Sequence, residues 1–485
     1  MSVFDSYFSG DAIEKLSDRK ILIFLSIFAL IILLSPLMMR LASGVSLMFN
    51  EESYYNSRIA ERLIKGESLI SDNLSGIIKP FYVTPYHYLL AFFGLFFNIA
   101  SLSYILPIIF GLLTVILLYL IMTHFDLHKT IKSFTVLFFI SSPVFVHTFS
   151  YSNHYFSLVF FVLLAIFLFI QEKYIYSIIS IPIIGIIYFY GFFNALFILI
   201  LFLLFSLYYK EKHIWFLSAL FLVFLLYAVY SLNNYYFFDI FEKSYLTGFI
   251  FEFGSKVGFS IFLILLFIIG FFVTWENKKK IYPVYMLIIA LFTLSFFNSF
   301  ESLLYLSILF SLFASYGFSY LYKKVWELNI MKVCALALIL CALLISVLIF
   351  ILLSSSLEPD IHSLRAAKWI GEKVEPNELI LSYPSHSFII QDVAKRKTFI
   401  DNIDISFLEN SPNKNAFHEI LGAQDIESLK SLLIKNEISI IYIDNELKEY
   451  SRSIGVERGL LYLLRNNETF KKVYKDKDIE IYRLI

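Results

Sequence analysis

Eleven apolar runs dominate the sequence and constrain its fold more than any other feature. They lie at about 21–39, 104–122, 133–149, 156–171, 174–190, 192–209, 214–231, 257–274, 281–297, 302–322 and 330–353. Such lengths match the roughly 20 residues a helix needs to cross a hydrocarbon core of about 30 Å. Inside lipid every backbone N–H and C=O must be bonded within the protein, and runs of this length, about twice a spanning strand, do so as helices. Composition agrees: 59% of the 485 residues are hydrophobic and 16% charged, against about a quarter charged in soluble domains. A soluble enzyme and a disordered chain are excluded. Lys+Arg 39 and Asp+Glu 39 cancel, which leaves no basic excess for the phosphates of a nucleic acid.

Half of the charged residues fall within 354–485. The expected fold class is therefore a polytopic α-helical membrane protein, residues 1–353, followed by a small α/β domain, residues 354–485. The stretch 84–99 is short and ambiguous. If it does not span, Lys15, Arg19 and Lys20, then Lys129 and Lys132, Lys173, Lys210 and Lys212, Lys278–Lys280, and Lys323 with Lys324 all share one side. The positive-inside rule selects that reading. It gives about eleven transmembrane helices in a cell membrane, a cytoplasmic N-terminus, a long first outer loop at 40–103 and an extracytoplasmic C-terminal domain. The first 20 residues are polar and amphipathic and the next run is long enough to stay in the membrane, so no cleavable signal is expected. Cys334 and Cys341 are seven positions apart in one apolar run, about 10 Å along a helix, too far to bridge.

Within 354–485 the pattern predicts helices at 362–374, 425–435 and 458–466. Strands are predicted at 378–383 and 438–443, with a final hairpin at 469–474 and 478–484. No Gly-rich phosphate loop and no Ser/His/Asp signature is visible there, which points to packing or recognition as the domain's work.

The segment Phe49 to Glu67 (FNEESYYNSRIAERLIKGE) is the most informative. At helical spacing Tyr55, Ile59 and Leu63 line one stripe, while Glu52, Asn56 and Arg58 project from adjoining faces. A carboxylate partly desolvated at the membrane surface can serve as a base. Glu51 and Glu52 would equally suit the first turn of a helix for its dipole alone. Intramembrane charges are almost absent, which argues against an ion-coupled transporter.

The segment Glu52-Ser53-Tyr54-Tyr55-Asn56-Ser57-Arg58-Ile59-Ala60 resembles the first-loop motif of the GT-C glycosyltransferases, read roughly D-P-x-F-N-Y-R-A in oligosaccharyltransferase catalytic subunits. Glu51-Glu52 with Ala60 to Leu63 is similar to the D-E opening of protein O-mannosyltransferases and aminoarabinose transferases. Lys79-Pro80 and Pro85-Tyr86-His87-Tyr88-Leu89-Leu90 resemble that branch's K-P-P-L-x-Y-x-L region. The resemblance implies an inverting membrane enzyme that moves a sugar from a polyprenyl-phosphate donor to a lipid, glycan or protein acceptor on the outer face. It implies catalytic roles for Glu52 or Glu51. Substrate and phosphate contacts would come from Arg58, Lys79, Tyr55, Asn56, His87 and Lys243, the last from the outer stretch 231–256 together with Asp239, Glu242 and Lys256.

Two stretches depart from the family. Where oligosaccharyltransferases carry a metal-binding acidic pair, this chain has Ser150-Tyr151-Ser152-Asn153-His154-Tyr155. Hard cations prefer carboxylates, so no cofactor is expected, with Asn153 and His154 the alternative ligands for a divalent metal. Where relatives carry an Arg before a late span, Glu301 stands here. The alternative functions are a non-catalytic protein of the same fold that presents a lipid-linked glycan, and a lipid-linked saccharide transporter.

Overall fold

The computed structural model describes residues 16–45, 48, 50–69, 71–76, 81, 83–171, 174–208, 214–233, 258–275, 284–289, 291–292, 300–355, 359–402, 412–453 and 459–485. The chain divides into two compact units. One comprises Met1–Met39 with Tyr104–Ser355, the other Arg40–Ser103 with Ser356–Ile485. Residues 40–103 thus pack with the C-terminal residues.

The first unit is helical. Among the described residues four helices are long and apolar enough to cross a membrane: Asp18–Ala42, Ile99–His124, Glu301–Lys323 and Asn329–Leu353. Shorter apolar helices include Tyr155–Ile170, Ile175–Tyr188 and Ile261–Trp275. The run expected at 133–149 is not one straight helix. It is Lys129–Ile140 followed by Pro143–Ser150, bent by 64°. Pro143 cannot donate to the preceding turn and instead starts the new helix, capped by Ser142, which accepts from the Phe145 N–H at 3.1 Å. Helix Ile261–Trp275 packs closely against Phe300–Lys323. There Gly270 and Gly317 face each other so closely that a Cβ on Gly317 would sit 2.2 Å from the Leu266 carbonyl oxygen.

In the second unit the stretch 84–99 forms only a ten-residue helix, Pro85–Gly94. That is about 15 Å of helix, half a hydrocarbon core. The next helix begins at Ile99, earlier than the run at 104 suggested. The C-terminal residues build a five-stranded sheet in the order β2-β1-β3-β5-β4. Its strands are β1 Leu379–Leu381, β2 Lys397–Thr398, β3 Ile438–Ile443, β4 Phe470–Asp476 and β5 Ile479–Leu484. β1 is parallel to β2 and β3, while β5 is antiparallel to β3 and β4. β3 carries apolar side chains on both faces, Ser439 apart, because both are covered. Ile441 and Ile443 meet Leu429 and Leu433 of helix Ile426–Lys435, and Ile440 and Tyr442 meet Ala366 and Ile370 of helix Ile361–Lys373. Helices Pro412–Leu421 and Asn445–Ser453 were not predicted, and the helix expected at 458–466 shrinks to Leu460–Leu463.

The segment after the first helix joins this domain through a third apolar cluster. Tyr54, Tyr55, Ile59 and Phe81 pack with Ala367, Phe388 and Ile389, with Leu63 at its edge. The stripe read from spacing is thus a buried one. Arg40, fully buried, donates to the Pro359 carbonyl at 2.9 Å and so ties together the two places where the chain enters this unit.

Candidate active site

Helix Asn50–Lys65 carries most of the sequence-predicted residues. Its first residue, Asn50, has φ +44°, and its side chain accepts from the Ser53 N–H at 3.1 Å. Asn tolerates that left-handed geometry and caps the helix in doing so. Glu51 and Glu52 follow in the first turn, where the unpaired N–H groups and the dipole favour carboxylates. Glu51 Oε2 accepts from Asn402 Nδ2 at 3.1 Å. A residue just beyond β2 therefore positions one of the two acids.

The next turns are committed to structure. Tyr55 is buried, 4.9 Å from the Phe388 ring and edge-on to His87 at 6.4 Å. Asn56 Oδ1 lies 2.8 Å from His87 Nε2. The Thr84 backbone N–H donates to His87 Nδ1 at 2.9 Å. An N–H pointing at Nδ1 makes that nitrogen the acceptor, so the ring carries its proton on Nε2 and donates to Asn56. His87 is 2% exposed, and it orients the Asn56 amide.

Arg58 was expected to meet a phosphate. The structure pairs it with Asp72 by a two-pronged contact at 3.2 and 2.5 Å, both side chains nearly fully buried. The guanidinium also lies 5.3 Å from the Phe81 ring. Sequence reasoning missed Asp72 because nothing local marks a partner fourteen residues away. Lys79 and Lys243, with Asp239, Glu242 and Lys256, lie outside the described residues.

In the first unit, Asn153 has both ends of its amide in use. Nδ2 donates to the His147 carbonyl at 3.2 Å, and Oδ1 accepts from the Tyr155 N–H at 3.0 Å. The His154 ring packs on Tyr155 at 4.0 Å. Among the described residues no three His, Cys, Asp or Glu side chains converge as a metal site. Glu301 precedes Tyr305, whose hydroxyl donates to Asn194 Oδ1 at 3.0 Å. Tyr305 also lines a groove otherwise made of aliphatic and Phe side chains, among them Val159, Leu163, Phe197, Leu201 and Leu287.

A second polar group collects at the C-terminal ends of β1 and β3. His386 Nδ1 is 2.8 Å from Asp444 Oδ2, with both residues buried. Ser385 donates to Glu446 Oε2, and the Tyr383 and Tyr450 rings are 5.6 Å apart. Burial raises the Tyr383 phenol, and Glu446, Tyr450, Glu51 and Asp444 raise it further. Glu51 is therefore electrically part of this group. Both Ser385 and Asp444 approach the same ring nitrogen, Nδ1. A nucleophile and its orienting acid would need opposite nitrogens, so this is no Ser/His/Asp triad. The residues follow directly on the predicted strands 378–383 and 438–443, and that adjacency was the signal available in the sequence.

The sequence matches no protein-family model and no curated protein. Solved structures do match. The Archaeoglobus fulgidus oligosaccharyltransferase in its apo form aligns with 94% of this chain and 72% of its own, at 11% identity and a TM-score of 0.66. The archaeal oligosaccharyltransferase AglB of the same organism, in complex with an inhibitory peptide and a dolichol-phosphate, aligns with 100% of this chain and 75% of its own, at 12% identity and a TM-score of 0.66. ArnT from Cupriavidus metallidurans, bound to undecaprenyl phosphate, aligns with 96% and 98% of the two chains, at 10% identity and a TM-score of 0.53. The chain has the GT-C fold.

Proposed function

We propose that this protein is a membrane glycosyltransferase of the GT-C type, taking its sugar from a polyprenyl-phosphate-linked donor. The observation that carries this reading is the pair Glu51 and Glu52 at the N-terminus of a helix buried in the outer unit, with Glu51 held by Asn402. The comparison proteins bound to dolichol-phosphate and to undecaprenyl phosphate share the fold and support the choice of donor class. The apolar groove along Val159, Leu163 and Leu201 suits a prenyl chain.

In the reaction the acceptor oxygen or nitrogen attacks the anomeric carbon and forms the new glycosidic bond. The bond from that carbon to the phosphate oxygen breaks, and polyprenyl phosphate leaves with the electron pair and inversion. Glu52 takes or orients the acceptor proton. Glu51, tied to Asn402, presents a carboxylate of fixed direction beside it. Arg58 is spent on Asp72, so leaving-group stabilisation falls to Lys79, Lys243 and Lys256. Asn153 is spent on the backbone, so the chemistry runs without a metal at the 150–155 turn, and activity survives EDTA.

Glu52→Gln keeps size and hydrogen bonding but removes proton-accepting power, which costs about 10²- to 10⁴-fold in rate. A deletion strain complemented with Glu52→Gln should lack the glycosylated product while the protein accumulates normally. Full restoration by Glu52→Gln together with loss in Glu51→Gln would transfer the role to Glu51. Restoration by both would favour a non-catalytic protein that presents a lipid-linked glycan.

A further inference from the structure

Helix Pro85–Gly94 is apolar on two faces, and protein covers one of them. Tyr86, His87, Leu90 and Ala91 are buried. On that side His87 meets Asn56 at 2.8 Å. Gly94 lies so near Ile64 that a Cβ on it would come within 2.8 Å of Ile64 Cδ1. Asn56 and Ile64 both belong to helix Asn50–Lys65, which carries Glu51 and Glu52. The short helix is therefore seated on the acid-bearing one.

The other face is apolar and exposed. Tyr88, Phe92, Leu95, Phe96 and Phe97 are 59% to 69% exposed. The helical turn continues past Gly94, because the Leu95 N–H donates to the Ala91 carbonyl and the Phe97 N–H to the Phe93 carbonyl, each at 3.1 Å. Tyr88, Phe92, Leu95 and Phe96 thus stand at i, i+4, i+7 and i+8, one stripe of a helix. The Phe92 and Phe96 rings lie 5.9 Å apart along it. A contiguous apolar patch of this kind marks a contact surface.

The course of the chain says what covers it. Two residues after Phe97 begins Ile99–His124, a helix long and apolar enough to cross a membrane. No Asp, Glu, Lys or Arg occurs from Thr84 to Phe125, so stripe and span form one charge-free stretch. A stripe joined so closely to a span lies where that span meets water. A helix placed there rests in the plane of the interface with its apolar side in lipid.

We propose that Tyr88, Phe92, Leu95, Phe96 and Phe97 form an in-plane contact surface for bilayer phospholipid. The occupant is lipid because the covalent link to the span keeps the stripe within a few residues of the hydrocarbon core. Through His87–Asn56 and Gly94–Ile64 the contact holds the acid-bearing helix beside the bilayer surface. The proposal concerns where Glu51 and Glu52 sit rather than what they do, so it stands apart from the transferase reading.

The test uses the full chain in phosphatidylcholine nanodiscs, with the exposed Cys334 and Cys341 replaced. Nitroxide labels go on Tyr88→Cys, Phe92→Cys and Phe96→Cys, with Lys435→Cys on an exposed position of the C-terminal domain as the aqueous reference. Oxygen concentrates in lipid, whereas a nickel chelate stays in water. The ratio of oxygen to nickel relaxation at two or more of the three sites should exceed that at Lys435→Cys by about fivefold or more, as expected about 5–10 Å below the headgroups. Ratios near the reference at two or more sites would put the face in water and overturn the proposal. Loss of access to both reagents would mean a protein cover, such as a second copy, and would overturn it as well. Phe96→Trp keeps the apolar bulk and supplies a second readout should a labelled variant fail to fold. Its added emission should be quenched by brominated phospholipid and spared by aqueous iodide; the reverse pattern would count against lipid contact.

Discussion

Arg58 and Asp72 show what a short motif leaves open. The motif resemblance implied that Arg58 meets a phosphate. In the folded chain Arg58 is 4% and Asp72 2% exposed, and each is the other's counter-charge. Removing one partner of a buried pair leaves an uncompensated charge, at a cost of about 3–5 kcal/mol. Asp72→Asn should therefore lower the thermal midpoint of the purified protein by several degrees. An unchanged midpoint would return Arg58 to the phosphate. His87 makes the same point. The resemblance implied a substrate contact for it, whereas both ring nitrogens are engaged, with Thr84 and Asn56.

At the scale of elements, the helix pair Ile261–Trp275 and Phe300–Lys323 is held by contact rather than by charge. With lipid outside as apolar as the helices, close backbone approach is what gives such a pair its dispersion energy. A Cβ on Gly270 would stand 1.8 Å from the Phe313 carbonyl oxygen. Gly317→Val should then force the helices apart and destabilise the first unit by about 1–3 kcal/mol or more. A thermal unfolding series of Gly317→Ala and Gly317→Val checks this: the loss should grow with side-chain size, and equal midpoints would mean the pair is not tightly packed. The strands behave differently. Ile438–Ile443 was legible to the residue because four isoleucines and a tyrosine in six positions suit a strand covered on both faces. Helix Asn445–Ser453 escaped notice because it is short and largely polar, with the sequence NELKEYSRS.

For the whole molecule, residues 40–103 and 356–485 share one unit, so they lie on the same side of any membrane. An even number of crossings must separate them, and ten of the eleven apolar runs fall between. Asn98 and His128 flank the single helix Ile99–His124. With the exposed cysteines Cys334 and Cys341 replaced, Asn98→Cys should react with an impermeant maleimide from outside. His128→Cys should react only after permeabilisation. Reaction of both from one side would break the eleven-span arrangement.

The sequence alone determined that the chain is a membrane protein with a small α/β domain, where most strands fall, and that a helix after the first span bears paired acids. These follow from local quantities: hydropathy summed over a window, side-chain period, and charge counted along the chain. Tertiary structure alone decided which polar residues are occupied and which are available. The partners of Arg58 and Asn56 lie fourteen and thirty-one residues away, those of Glu51 and Ser385 351 and 61. A hydrogen bond is made across whatever separation the fold brings to about 3 Å, and nothing in the local pattern records that separation.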